Sequence, residues 1–80
     1  MFEVFELGDS ARNVIYIGRG RIRGELRRYK RSKDSCKMQA RAFRYEQMPS
    51  DVRARQRERA LLNEYVEKHG KLPRCNKRIG

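Results

Sequence analysis

The apolar residues of this chain gather into four short stretches, residues 2–7, 14–17, 40–45 and 52–66, and each repeats with the period of a strand or a helix. Within 80 residues that leaves room for one small domain, which buries only about 60–65% of the surface its unfolded chain exposes. Apolar residues make up 38% and charged residues 39% of the chain. The clustering, rather than the total, is what argues for a folded core. We expect a single domain over 1–80, with a core at about 2–70 and a basic tail at 71–80.

Residues 2–7 alternate Phe2, Val4 and Phe5 with Glu3 and Glu6 and read as a strand. Gly8 to Asn13 is turn chemistry, and Val14 to Ile17 is a short second strand, so 2–17 forms a hairpin. Gly18 and Gly20 then read as a break. Ile22, Leu26 and Tyr29 share one face of a helix over roughly 22–32, with Gly24 weakening its first turn by about 1 kcal/mol. Residues 40–46 suggest a third strand, ended by Met48-Pro49-Ser50. Ser50 or Asp51 caps a long helix that runs to His69 and closes at Gly70. The order β-β-α-β-α implies an α+β fold, a small antiparallel sheet flanked by helices.

The net charge is +11, and its placement is uneven. Between Arg19 and Lys33 eight Lys or Arg stand against one Glu, while residues 1–18 are net acidic. Such a block suits a phosphate backbone, whose condensed counterions each neutralising side chain releases. Arg19, Arg21, Arg23, Arg27, Arg28, Lys30 and Arg31 are the expected nucleic-acid contacts. The basic stretch lacks the apolar face that a membrane-surface helix needs, so no membrane partner is expected, nor a small-molecule substrate. Phe-Glu-Val-Phe-Glu after Met1 is not a leader, and no apolar run is long enough to span a bilayer. We expect a cytoplasmic protein. Cys36 and Cys75, 39 positions apart, then read as free thiols, and His69 with Cys75 is too few ligands for zinc.

Glu58 stands in the apolar stripe of the long helix, among Ala54, Leu61, Leu62 and Tyr65. A buried carboxylate without a partner costs several kcal/mol, so three arrangements suit it: an arginine, a divalent cation, or a cleft opening in the stripe. Tyr16, in an apolar strand beside a glycine and the basic block, is either core or a group facing phosphate.

Tyr16-Ile17-Gly18, with Glu3-Val4-Phe5 before it across ten intervening residues and Glu58, Leu61, Leu62, Pro73 and Asn76 downstream, resembles the GIY-YIG endonuclease superfamily. The resemblance spans residues 3–76. It implies a three-stranded antiparallel sheet with flanking helices, and cleavage of DNA phosphodiester bonds with Mg²⁺ or Mn²⁺. It further implies Glu58 as the metal ligand, Tyr16 as the activator of the attacking water, and an arginine on the first helix that stabilises phosphate charge. Many members are fused to targeting domains, so a protein partner that targets this chain is implied as well. Two positions depart from the family pattern. Phe5 replaces a tyrosine, and Glu25 stands where the arginine is expected, leaving Arg23, Arg27 or Arg28 to substitute, with Arg23 the best placed of the three. The alternatives are a binding module that has lost cleavage, and a small basic RNA- or ribosome-associated protein.

Overall fold

The computed structural model describes residues 2–77. It contains β1 (Phe2–Gly8), β2 (Val14–Gly20), α1 (Ile22–Ser32), a 3-10 turn (Lys37–Gln39), β3 (Ala42–Met48) and α2 (Asp51–His69). The strands form one antiparallel sheet in the order β2-β1-β3. The expected α+β fold is therefore present, with β1 at its centre.

Helix α2 begins where Ser50 accepts the Arg53 amide on its hydroxyl at 3.2 Å and ends at Gly70, whose φ of 73° is left-handed. Helix α1 has no side-chain cap of its own at Arg21. Instead Glu3, on β1, accepts the Ile22 amide at 2.9 Å, so the sheet itself supplies the cap. This tertiary cap, with Ile22 buried at the first turn, offsets the cost of Gly24.

Strand β2 does not stop at Gly18. It pairs on through Gly20, with Gly18 opposite Phe5 and Gly20 opposite Glu3. The glycine at 18 serves packing rather than turning. A Cβ there would lie 2.5 Å from the Tyr16 ring and 3.1 Å from Phe5, so the two aromatics lean over the bare backbone. At the other end the register skips Ile15, a bulge that turns this residue into the core beside Phe5 and Leu7.

Each face of the sheet carries a helix. On one face Phe5, Leu7 and Ile15 pack with Ile22 and Tyr29 of α1. On the other, Val4 and Ile17 are buried with Ala54 and Leu62 of α2. The segment after Gly70 returns along the free edge of β2. Residues 78–80 of that tail lie outside the described residues. The Cys75 amide donates to the Ile15 carbonyl at 2.8 Å. Asn76 accepts the Ile17 amide and donates to the Ile17 carbonyl, both at 2.9 Å.

Cys36 and Cys75 are joined in a disulfide, not free. The loop after α1 and the returning segment approach the same end of the α1-side core, which brings the two Cα atoms to 5.7 Å. Among the described residues, no helix is long and apolar enough to cross a membrane.

Candidate nucleic-acid interface

A groove follows the exposed end of β2 and is bordered by Tyr16, Arg19, Arg28, Lys37, Glu58 and Asn76. Tyr16 and Arg19 leave opposite faces of the strand, because side chains alternate. Tyr16 lies on the α1 side, in edge contact with Tyr29 at 6.0 Å. Arg19 lies on the α2 side, where it meets Glu58. The groove wraps the strand edge, so Tyr16 and Glu58, two of the three residues singled out as catalytic, both border it but from opposite faces of the sheet.

The third, Arg23, is elsewhere. It borders a separate groove over β3, with Phe43 and Tyr45. Arg28 is the α1 arginine that reaches the Tyr16 groove. Five helical positions separate the two, a turn of about 140° around the axis, so they cannot serve one site. Glu25 also borders the Tyr16 groove, and it holds Arg28 in an ion pair. Glu25 thus neutralises the arginine one turn further along the helix.

Glu58 is 8% exposed. Arg19 donates to its Oε1 at 2.8 Å and also lies 3.6 Å from Asp51. Of the arrangements foreseen for this carboxylate, an arginine partner and an opening cleft are both present. Among the described residues no three His, Cys, Asp or Glu side chains gather as a metal-binding group. Arg19 thus supplies the positive charge at this carboxylate.

Lys37 adds a feature with no signal in the sequence. Its ammonium lies 4.4 Å from the Tyr16 ring centroid and 4.6 Å from that of Tyr29, within the range of cation–π attraction. Asp34 anchors it, accepting the Lys37 amide at 3.1 Å and pairing with the ammonium at 3.2 Å. Burial pushes the Asp34 carboxyl upward, but these Lys37 contacts outweigh it and hold the pKa below the ordinary 3.8. The Tyr29 hydroxyl beside them is buried and finds no hydrogen-bond partner among the described residues. Burial first, then the neighbouring Tyr16, pushes its pKa well above 10.0.

Of the cations around the groove, Arg19, Arg28, Lys37 and Arg74 each hold a carboxylate. Arg21, Arg23, Arg27, Lys30 and Arg31, and also Lys33 at the C-cap, are exposed and have no carboxylate within ion-pair distance among the described residues. Comparison with protein-family models, with curated proteins and with solved structures finds no match to this chain.

Proposed function

We propose that the chain binds nucleic acid, DNA ahead of RNA, by its sugar–phosphate backbone, with α1 as the principal contact. The observation that carries this reading is the set of exposed cations on α1 and its flanks that no carboxylate among the described residues neutralises. A paired arginine must surrender one interaction to make another, whereas these side chains release counterions from a phosphate at no such loss. Charge reversal at two of them, Arg27→Glu with Lys30→Glu, is expected to weaken binding to duplexes of unrelated sequence alike, by about tenfold or more. Fluorescence anisotropy at fixed salt measures it. Unchanged affinity in that variant overturns the reading.

Cleavage is the second reading, favoured by the one groove that Tyr16 and Glu58 share and by the resemblance to GIY-YIG endonucleases. It requires Glu58 to exchange Arg19 for Mg²⁺ or Mn²⁺, which would then polarise a phosphoryl oxygen. In this reading Tyr16 is the group nearest the attacking water. Nicking of plasmid DNA that depends on Mn²⁺ and disappears in both Glu58→Ala and Tyr16→Phe supports it. Intact binding with no nicking by the native chain removes it. A cytoplasmic setting, with a protein partner that supplies targeting, belongs to the same proposal. Cytosolic thiol buffers oppose disulfides, so the Cys36–Cys75 bond makes the compartment a direct experimental question. Non-reducing mass analysis of the chain as isolated from cells answers it.

A further inference from the structure

Strand β3 carries two large aromatic side chains that the described residues leave half exposed. Phe43 and Tyr45 are each 54% exposed. Their partners in the register are Leu7 and Phe5, which are fully buried under α1. Paired residues of an antiparallel sheet project from the same face, so all four belong to one surface. Helix α1 packs on β1 and β2 and leaves the β3 third of that surface open.

The opening is a groove of about 620 Å³, within the ~300–1,000 Å³ usual for small-ligand sites. Phe43, Tyr45, Ile22 and Leu26 give it apolar walls. Arg21, Arg23 and Arg27 rim it from α1, and these are among the cations without a carboxylate. The one acidic side chain in the groove, Glu3, is engaged with the Ile22 amide. Gly24 faces the same space, and a Cβ added there would meet nothing within 4 Å.

We propose that this groove is a stacking platform for unpaired bases of a single-stranded nucleic acid. The inference rests on the nucleic-acid reading above and specifies a second mode within it. Two rings at alternate positions of a strand stand about 6.6 Å apart. That is roughly twice the base-stacking distance, so each ring takes one splayed base, and the arginines follow the phosphates between them. Duplex bases present no free face and cannot use the platform. An apolar partner protein fits less well, because three uncompensated guanidinium groups on the rim would lose water without gaining partners.

The test compares a fluorescein-labelled 15-mer of thymidylate with a 15-base-pair duplex, using the full chain in 150 mM salt. In Phe43→Ala/Tyr45→Ala the single-strand affinity is expected to fall by about tenfold or more, with duplex affinity changed by less than about twofold. In the native chain, which has no Trp, the thymidylate oligomer should also quench tyrosine fluorescence. That quenching should be smaller in the variant. Both side chains are exposed, so circular dichroism should show the fold retained. Phe43→Tyr/Tyr45→Phe, which keeps both rings, should bind like the native chain. Equal loss of single-strand and duplex binding, or no loss of either, overturns the platform and leaves the α1 reading standing. No binding of either oligomer by the native chain overturns both. A native dimer that the Ala variant converts to monomer, seen by sedimentation, makes the face a contact between copies and also overturns the platform.

Discussion

At the level of single residues, the buried polar groups decide most. The Tyr29 hydroxyl is enclosed and has no hydrogen-bond partner among the described residues, so its desolvation is uncompensated there. Tyr29→Phe should therefore raise stability, by about 0.5–1 kcal/mol in urea titrations at neutral pH. The pH dependence follows from the same burial. The folded chain keeps this phenol protonated while the unfolded chain ionises near 10.0. Stability contributed by the neutral form is thus complete below 10 and declines as pH rises above it. Tyr29→Phe should flatten that alkaline decline, measured as thermal midpoints between pH 9 and 11. Arg19 and Glu58 show the opposite case, a buried group that is satisfied. Arg19→Ala strands a carboxylate whose side chain is only 10% exposed, and it is expected to cost about 2–3 kcal/mol. Asp51→Ala, at an exposed and longer contact of 3.6 Å, should cost less than 1 kcal/mol. Equal losses for the two would place the pair's stabilisation elsewhere. Glu58 was conspicuous in the sequence because a charge interrupts an apolar stripe. Its partner was not, because Arg19 lies 39 positions away on a strand that had been expected to end before it.

At the level of elements, the helices were legible because their ends are chemically marked. Ser50 and Gly70 delimit α2 in the sequence as they do in the fold, and Ile22, Leu26 and Tyr29 mark the packed face of α1. Strand β2 was read short for a physical reason. Glycine breaks a strand in isolation, but here two aromatic rings need the space that a side chain would occupy. The disulfide was illegible as well. Two cysteines specify no pairing until the loop after α1 and the returning segment are placed, and the expected cytosolic setting argued against a bond. Closing a loop of this length contributes on the order of 2–4 kcal/mol. Reduction, or Cys36→Ser with Cys75→Ser, should lower the thermal midpoint accordingly. It should also speed hydrogen exchange at the Ile17 amide, which Asn76 protects, before that of the central strand β1. Asn76→Ala should reproduce the exchange effect with the disulfide intact, at a stability loss of about 1–2 kcal/mol. If Ile17 exchanges no faster in either variant, Asn76 does not protect the strand edge.

For the whole molecule, charge is the governing quantity. Most of the excess over neutrality lies on one helix and its flanks, where neighbouring carboxylates do not cancel it. Duplex affinity should fall steeply between 50 and 200 mM salt, and each of Arg27→Ala and Lys30→Ala should reduce the log–log slope by about 1. Arg28→Ala should change the slope less, since Glu25 already holds that guanidinium. Anisotropy at four salt concentrations distinguishes these outcomes. The two rims of the sheet differ in a way that bears on association. Beyond Ile17 the β2 rim is occupied by an asparagine amide that imitates a neighbouring backbone, so an incoming chain would first have to evict it. Along β3 six of the seven residues are exposed, and its outer edge has no strand beside it among the described residues. Any extra strand this protein recruits, from a peptide or from a twin, has its unobstructed berth there, next to Phe43 and Tyr45.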